Sequence, residues 1–260
     1  MSDQLHVCII QSQLEWENPK KNLKRFDKHI ESVAKETDVV VLPEMFTSGF
    51  TMNPSAVAES MNGDTISWLK EKAQQLNAVI TGSIVIEENS TYYNRLLWVE
   101  PSGDIQHYNK RHTFTLAGEH RVYKGGEKKA IINYKGWKIC PLICYDLRFP
   151  VWARNTEDYD VLLYVANWPK PRISAWDALL KARAIENMTY CIGVNRVGLD
   201  NNGHHYPGHS VIYDGLGENI LQTTKDKEAV KSISLEKSHL ETIRQKLRFL
   251  EDRDQFNLQV

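Results

Sequence analysis

The sequence predicts an α/β protein in which two mixed sheets pack face to face and helices cover the outer surface of each sheet. Strand–helix–strand units are interspersed with hairpins along the 260 residues, and several strand-like runs, such as 39–42 and 161–165, are apolar throughout. A strand of this kind is buried on both faces, because its side chains point alternately to either side of the sheet. Two sheets packed together with helices outside each would bury such strands.

The first two helices are predicted from capping residues and apolar periodicity. Asn18 and Pro19 suit the N-cap and the first helical position of one helix. Apolar residues at helical spacing then predict its buried face, namely Leu23, Phe26, Ile30 and Val33. We expect Asp64 to cap the second helix. Its inward-facing residues are Ile66, Leu69 and Ala73.

The remaining elements follow from apolar runs and turn residues. Strands are expected at 5–11, 38–42, 78–86, 94–99, 104–108, 130–133, 137–143, 160–165 and 190–195, with short strands near Ser210, Ile220 and Val230. Further helices are expected at 149–155, 173–188 and 235–247. The segments 111–129 and 200–208 are polar and are expected to be loops, and long loops in compact domains are usually functional.

Composition limits the class of protein. The chain is 42% hydrophobic and 25% charged with a net charge of −1, so nothing favours nucleic acid or an anionic membrane as a partner. No apolar stretch is long enough to span a bilayer. The start Met1-Ser2-Asp3-Gln4 lacks the basic and apolar regions of a secretory signal. We therefore expect a cytoplasmic protein with a single domain over 1–260 and a charged C-terminal tail from about 248.

The four cysteines do not suggest a disulfide framework. Cys8, Cys140 and Cys191 lie in apolar runs and are expected to be small buried hydrophobes. Cys144 differs, because it stands where the apolar run 138–143 gives way to the polar sequence Tyr-Asp-Leu-Arg. That position places a thiol at the end of a strand.

Two other strand-like runs end in a chemically reactive group. The run 39–43 is followed by Glu44, and the run 105–109 is followed by Lys110. In α/β enzymes the crevice beyond the strand ends is the usual place for reacting side chains. A carboxylate, an ammonium group and the thiol of Cys144 at such ends predict a Glu-Lys-Cys catalytic site.

These three groups have the chemistry of acyl transfer from an amide. A thiol needs a base, which Glu44 can provide if desolvation raises its pKa. The oxyanion formed by attack on a carbonyl needs positive charge or fixed donors, which Lys110 and the backbone N–H of Tyr145 can provide. Attack would yield a thioester and ammonia, and water would then release the acid.

The local contexts of these residues resemble the nitrilase superfamily of carbon–nitrogen hydrolases. The resemblance is carried in order by Leu-Pro-Glu-Met-Phe at 42–46, Asn-Lys-Arg-His at 109–112, Cys-Tyr-Asp-Leu-Arg-Phe-Pro at 144–150, Tyr-Val-Ala-Asn-Trp-Pro at 164–169, Ala-Arg-Ala-Ile-Glu-Asn at 182–187 and Asn-Arg-Val-Gly at 195–198. It implies a four-layer α-β-β-α sandwich that usually forms a homodimer. It also implies that Glu44 is the base, Lys110 stabilises the oxyanion and Cys144 is the nucleophile. Glu119 looks like the family's second glutamate, which would orient Lys110 or help to handle protons.

Within that superfamily the chain looks most like the ω-amidase branch, including the bacterial 2-oxoglutaramate amidases. The resemblance implies a small-molecule substrate, the terminal amide of a short 2-oxo dicarboxylate. The far carboxylate of such a substrate requires a cationic anchor, for which Arg148 and Arg172 are candidates. The alternative for Arg148 is an internal ion pair with Asp146. Tyr145 and Trp168 are expected in the pocket wall or the core.

Several alternatives stay open from the sequence. A Cys–His dyad could use His112 or His120. The cluster of His204, His205 and His209 matches no common zinc pattern, and the glycine pairs form no phosphate-binding motif, so no metal or other cofactor is expected. The substrate could instead be a nitrile, a carbamoyl compound or another small amide. An inactive member of the family that binds a metabolite is the remaining alternative.

Overall fold

The structure is a computed structural model that describes residues 3–259. Met1, Ser2 and Val260 lie outside the described residues. They include two of the four N-terminal residues discussed above and the last residue of the predicted C-terminal tail. In chain order the strands are β1 Gln4–Gln11, β2 Val39–Val41, β3 Val79–Glu88, β4 Thr91–Val99, β5 Ile105–Asn109, β6 Ile132–Tyr134, β7 Trp137–Ile143, β8 Val161–Ala166, β9 Tyr190–Asn195, β10 Val197–Leu199, β11 His205–Pro207, β12 Val211–Tyr213, β13 Asn219–Gln222 and β14 Ala229–Glu236. The α-helices are α1 Pro19–Ile30, α2 Asp64–Leu76, α3 Pro150–Ala153, α4 Ile173–Asn187 and α5 Lys237–Leu247.

Across residues 3–259 the strands form two six-stranded sheets and a small two-stranded sheet. The first large sheet has the order β14-β1-β2-β3-β4-β5, and the second has the order β13-β12-β9-β8-β7-β6. Each sheet has a parallel centre, formed by β1, β2 and β3 in one and by β7, β8 and β9 in the other. Antiparallel strands flank both centres. The prediction of two mixed sheets is confirmed.

Alternating side chains explain why the central strands are apolar on both faces. In β1, Leu5, Val7 and Ile9 belong to the core between the sheets, whereas Cys8 and Ile10 belong to the core under the helices. The same division separates Val39 and Val41 from Val40 in β2. Because successive side chains point to opposite faces and both faces are covered, apolar residues occupy both sides of these strands.

Helices cover the outer face of each large sheet. Phe26 of α1 and Leu69 of α2 pack on the first sheet. Trp176 and Leu180 of α4 pack on the second sheet, where they lie so close to Gly193 of β9 that a β-carbon there would collide with both. This arrangement is the predicted α-β-β-α sandwich. No helix within residues 3–259 has both the length and the apolar character needed to cross a membrane.

The N-terminus of α1 is as predicted, but the expected cap of α2 is wrong. Asn18 accepts a hydrogen bond from the backbone N–H of Lys21. At α2 the N-cap is Gly63, and Asp64 is already the first helical residue. The carboxylate of Glu59 accepts the backbone N–H of Thr65 at 2.8 Å, so a residue before the helix satisfies one of the free donors of its first turn.

Two further boundaries differ from the prediction near the C-terminus. The last strand, β14, is eight residues long and pairs with β1 over its whole length, so that α5 begins at Lys237 rather than at Leu235. The expected loop at 200–208 contains β11, which pairs with β10. The extent of β14 is set by pairing with β1, which is far away along the chain, and β11 forms because it pairs with β10 across a turn.

Candidate active site

Three strand ends bring Glu44, Lys110 and Cys144 together at one edge of the sandwich. Glu44 follows β2, Lys110 follows β5 and Cys144 follows β7. The Nζ atom of Lys110 lies 2.9 Å from Oε1 of Glu44. Cys144 is close enough to Glu44 and Lys110 for both to affect its ionisation. The two sheets contribute different members of this cluster, so the site depends on their packing.

The carboxylate of Glu44 is fully buried and surrounded by hydrogen-bond donors. Oε1 accepts from Lys110 and from Nδ2 of Asn94 at 2.8 Å, and Oε2 accepts from the backbone N–H of Asn167 at 2.7 Å. The Nδ2 of Asn167 also donates to the backbone carbonyl of Glu44 at 2.7 Å. These donors fix the orientation of the Glu44 carboxylate at the base of the site.

Glu119 supplies a second buried carboxylate to Lys110. Its two oxygens lie 3.0 and 2.9 Å from Nζ of Lys110, and one of them also accepts the backbone N–H of Phe114. Burial alone would lower the pKa of Lys110, but Glu119 and Glu44 outweigh it and raise the pKa above its ordinary value. Lys110 is therefore a cation held between two carboxylates.

The pKa of Glu119 is raised, because burial and the charge of Glu44 act against its ionisation while Lys110 acts in its favour. This carboxylate has no accessible surface. It contacts Lys110 but is absent from the pocket lining, so it lies behind the ammonium group. That position suits a residue that orients Lys110.

The backbone of Lys110 is fixed on both sides. Its N–H donates to the carbonyl of Asn94, and its carbonyl accepts the N–H of Gly126 at 2.8 Å. A β-carbon on Gly126 would lie only 2.3 Å from the carbonyl oxygen of Asn109, so the close approach of this segment to the strand end requires glycine. The loop at 111–129 therefore comes back to Lys110 and fixes its backbone through Gly126.

Cys144 occupies a strained turn at the end of β7. Its φ angle is +45°, in the left-handed region, and it begins the 3-10 turn Cys144–Arg148. Buried Asp146 ties this turn down by accepting the backbone N–H of Ile143 at 3.0 Å and the hydroxyl of Tyr108 at 2.8 Å. Asp146 therefore links the turn after β7, which carries Cys144, to β5, which precedes Lys110.

The environment of Cys144 keeps the thiol protonated at rest. Burial raises its pKa well above the ordinary value, the charge of Glu44 raises it further, and Lys110 opposes this. A thiol in this state becomes a nucleophile when a neighbouring base removes its proton. Tyr145 is the second residue of the turn, where backbone N–H groups are not used within the turn and can serve a ligand.

A pocket of about 640 Å³ opens above these groups. Lys110, Cys144, Tyr145 and Asn167 line it at the strand ends. Its other walls contain several aromatic side chains, namely Trp16, Phe50, Phe114 and Trp168 from loops and Tyr206 from β11. Tyr145 and Trp168, which the sequence left between wall and core, both lie in the wall.

Arg148 and Arg172 both line the pocket. The guanidinium of Arg148 lies 5.0 Å from the ring centre of Trp168, and that of Arg172 lies 5.2 Å from the ring centre of Phe114. Within the described chain neither guanidinium forms an ion pair or a hydrogen bond. Each is thus an unneutralised cation resting on an aromatic face.

The alternative pairing of Arg148 with Asp146 is wrong. The Oδ1 atom of Asp146 accepts from the backbone N–H of His112 and lies 2.8 Å from Nδ1 of the same residue. Its Oδ2 atom is used by Ile143 and Tyr108. Because local donors already satisfy both oxygens, Arg148 is left on the pocket wall.

The histidines do not adopt the arrangements considered from the sequence. His112 pairs with Asp146 and stacks on Phe149, and His120 is exposed; neither lines the pocket with Cys144. The three histidines of the 204–209 cluster pair with three different carboxylates, those of Asp200, Asp226 and Asp177. Over residues 3–259 no group of three or more metal-ligating side chains is arranged to hold an ion.

Sequence reasoning missed Asn94, Asn167 and Asp146. Asn167 follows β8, so the rule that identified Glu44, Lys110 and Cys144 at strand ends would also have found it. Asn94 lies inside β4, whose sequence Thr-Tyr-Tyr-Asn-Arg-Leu-Leu-Trp-Val mixes polar and apolar residues, so no local signal marks its contact with Glu44. For Asp146 the sequence suggests an ion pair with an arginine, whereas the structure shows it accepting hydrogen bonds from Ile143 and Tyr108.

Comparisons with known proteins agree with this geometry. The sequence matches the carbon–nitrogen hydrolase family over residues 6–245. It is 46% identical over 255 residues to the omega-amidase YafV of Escherichia coli (strain K12), with 98% of each chain covered. It is 34% identical over 238 residues to the 2-oxoglutaramate amidase of Bacillus subtilis (strain 168), with 89% of this chain and 92% of the relative covered.

Solved structures share the fold. The crystal structure of XC1258 from Xanthomonas campestris, a CN-hydrolase superfamily protein with an arsenic adduct in its active site, superposes with a TM-score of 0.97 at 39% identity and covers 99% of this chain and 100% of that one. Nit3 of Saccharomyces cerevisiae, a member of branch 10 of the nitrilase superfamily, superposes with a TM-score of 0.86 at 24% identity, with 95% of each chain covered. The latter similarity concerns the fold alone.

Proposed function

This chain belongs to the carbon–nitrogen hydrolase family, and we propose that it is a thiol-dependent ω-amidase that hydrolyses the terminal amide of small 2-oxo dicarboxylate monoamides such as 2-oxoglutaramate. The observation that carries the proposal is the meeting of Glu44, Lys110 and Cys144 at the base of one pocket. The similarity to the E. coli omega-amidase and the B. subtilis 2-oxoglutaramate amidase supports the substrate class.

In the first half of the proposed reaction, the enzyme is acylated. The carboxylate of Glu44 takes the proton of the Cys144 thiol while the sulfur attacks the amide carbon and the carbonyl π electrons move to oxygen. Protonated Glu44 then gives its proton to the amide nitrogen. The carbon–nitrogen bond breaks, ammonia leaves and the acyl group remains as a thioester.

The tetrahedral intermediate carries a negative oxygen that the site can stabilise. Lys110 is a buried cation at the base of the pocket, and the backbone N–H of Tyr145 lies one residue beyond Cys144. Glu119 and Glu44 hold the lysine in place, so little reorganisation is needed as the charge develops. Glu119 acts through Lys110 and is a positioning residue.

Hydrolysis of the thioester completes the cycle. Glu44, again ionised, takes a proton from water as the water oxygen attacks the thioester carbon. The carbon–sulfur bond then breaks, and the proton on Glu44 returns to the sulfur of Cys144. The products are ammonia and a 2-oxo dicarboxylate, and no cofactor is needed for either half-reaction.

The distal carboxylate of the substrate is assigned to Arg148 and Arg172. Both guanidiniums line the pocket and neither has an acidic partner in the described chain. A planar guanidinium on an aromatic face can still donate two parallel hydrogen bonds in its own plane. A ligand carboxylate would neutralise a charge that the protein leaves unpaired.

Removal of the thiol tests the covalent mechanism. Wild-type protein should release ammonia from 2-oxoglutaramate, and Cys144→Ala should release none above the uncatalysed rate while its circular dichroism stays unchanged. Mass spectrometry of quenched wild-type reactions should find the acyl group on Cys144. Turnover by a folded Cys144→Ala protein would overturn the covalent mechanism.

A substrate panel tests the proposed specificity. The kcat/KM for 2-oxoglutaramate should exceed that for small nitriles, for carbamoyl amino acids and for simple aliphatic amides without a carboxylate. A nitrile or carbamoyl compound at the head of the ranking would replace the ω-amidase proposal with another activity of the same family. Absence of any turnover and of any acyl adduct would favour a metabolite-binding role.

Dimerisation and location extend the proposal. Exposed Val151 of α3 and Leu258 of the C-terminal segment line one groove, which offers an apolar face to a second copy. We expect a homodimer by light scattering, and Leu258→Asp should weaken it.

We also propose that the enzyme is cytoplasmic. All four cysteines are free, which supports a reducing compartment, and cell fractionation tests the location.

A further inference from the structure

The pocket above Cys144 is much larger than a short diacid monoamide needs. Its volume is about 640 Å³. Pockets of about 300–1,000 Å³ ordinarily enclose drug-sized molecules. A chain of five carbons with an amide at one end and a carboxylate at the other would leave much of this volume empty.

Part of the pocket wall is apolar. Phe50, Met52 and Phe114 contribute side chains to it, and Trp16 continues the same surface. Each of two cations in the pocket contacts one aromatic ring: Arg172 lies over Phe114, and Lys110 lies 5.1 Å from the ring centre of Phe50. Apolar surface therefore remains available beside each charge.

Leu116 extends this wall to the mouth of the pocket. It stands in the middle of the 3-10 turn Thr115–Ala117, and its side chain is 79% exposed. It also lines the pocket, two residues after Phe114. A leucine this exposed has almost no packing in the free protein, and an apolar ligand in the pocket would give it a partner.

We propose that the enzyme accepts a second class of substrate, namely ω-monoamides of dicarboxylic acids that carry a branched alkyl or aryl group on the carbon chain. The amide lies at Cys144, the carboxylate at Arg148 or Arg172, and the branch against Phe114 and Leu116. This inference rests on the proposed amidase function and adds a substrate class to it. The bond changes are those of the unbranched reaction, so no further reactant is required.

A series of glutaric acid monoamides tests the proposal. Glutaramate, 3-methylglutaramate, 3-(2-methylpropyl)glutaramate and 3-phenylglutaramate place groups of increasing size on the same chain. We expect kcat/KM to rise along the series and to be about tenfold higher for the 2-methylpropyl compound than for glutaramate, mainly through a lower KM, because a partly buried branched alkyl group adds binding energy of that order. A steady fall of kcat/KM with the size of the branch would overturn the proposal.

A pair of exposed leucines provides the variant and its control. Leu116→Ser should bring kcat/KM for the 2-methylpropyl compound to within about threefold of that for glutaramate measured with the same variant. Leu216 is 44% exposed and lies outside the pocket, so Leu216→Ser should leave both substrates unaffected. Equal loss for branched and unbranched substrates in Leu116→Ser, or no loss for either, would contradict a role of Leu116 in binding the branch.

Binding of the unreactive diacids separates this inference from the proposed function. If no monoamide is hydrolysed, the proposed function fails, but calorimetry with wild-type protein can still compare glutarate with 3-(2-methylpropyl)glutarate. Tighter binding of the branched diacid, reduced in Leu116→Ser and not in Leu216→Ser, supports the apolar subsite. Equal or weaker binding of the branched diacid overturns it.

Discussion

The charged side chains at the base of the pocket are paired with each other, whereas the guanidiniums on its walls are not. At the base, Glu44, Lys110 and Glu119 are at most 1% exposed, and every charge has a partner within 3.0 Å. On the walls, Arg148 and Arg172 reach the pocket without an acidic partner in the described chain. The charges of the base are paired without a ligand, whereas the two guanidiniums of the walls are open to pairing with one.

This difference follows from where each group is attached. Glu44 and Lys110 stand at strand ends, where the sheets fix the backbone, and Asn94 and Asn167 hold Glu44 further. Glu119 lies in the turn Glu119–Arg121, and its carboxylate is held by Lys110 and by the backbone N–H of Phe114. Arg148 and Arg172 of the walls stand on 3-10 turns outside the sheets. We therefore expect changes at the base to act on kcat and changes at the walls to act on KM.

The largest effect is expected when the proposed base is neutralised. Glu44→Gln keeps the shape of the side chain but cannot accept the thiol proton, so kcat should fall by about 10³-fold with little change in KM. Steady-state kinetics with 2-oxoglutaramate checks this, and thermal unfolding shows whether the variant is folded. A rise in KM without a fall in kcat would place Glu44 among the binding residues.

A smaller loss is expected at the second carboxylate of the base. Glu119→Gln should lower kcat by about a hundredfold, because Lys110 loses the charge that holds it. Burial already acts to lower the pKa of Lys110, and Glu119 is foremost among the carboxylates that raise it. Its removal should lower that pKa and move the alkaline limb of the pH–kcat profile to lower pH.

Two controls accompany this variant. The variant Glu119→Asp keeps the charge, so it should retain the wild-type position of the alkaline limb even if kcat falls. The free energy of unfolding of Glu119→Gln should drop by about 2 kcal/mol, since one buried ion-pair partner is removed while Glu44 remains. An unchanged pH profile in Glu119→Gln would show that Glu119 does not act through the charge of Lys110.

The sequence predicted the elements and catalytic candidates that local patterns encode. The run 39–42 is apolar throughout, so both faces of its strand must be covered. This requirement predicts a sheet that has another layer packed on each face. The prediction of reacting groups at strand ends selected Glu44, Lys110 and Cys144, and the structure brings these residues together. Both inferences depend on the residue types and their neighbours along the chain.

The parts that were missed depend on contacts between distant segments. The start of α5 was misplaced because β14 is lengthened by pairing with β1, more than 200 residues away. Asp146 could not be distinguished from an ion-pair partner of Arg148 without knowing that Tyr108 and His112 approach it. A buried carboxylate takes whichever donors the fold supplies, and sequence spacing does not reveal them.

Changes at the walls should give the opposite kinetic pattern. Arg172→Ala or Arg148→Ala should raise KM for 2-oxoglutaramate by about tenfold or more, because a charge-assisted hydrogen bond to the substrate carboxylate is lost, and should leave kcat within about threefold. The lysine variants retain the charge but not the planar donor pair, so they should recover part of the loss. A residue whose alanine variant lowers kcat alone does not anchor the carboxylate.

The smallest expected effect is a shift in the ionisation of the thiol, and it separates the two regions directly. Burial raises the pKa of Cys144 and the charge of Glu44 raises it further. Removing that negative charge in Glu44→Gln should therefore lower the pKa, so that the pH midpoint for alkylation of Cys144 by iodoacetamide moves down. Arg148→Ala removes a positive charge from the wall and should leave the midpoint near the wild-type value. A midpoint that moves in Arg148→Ala and stays fixed in Glu44→Gln would mean that the walls, and not the base, set the reactivity of the nucleophile.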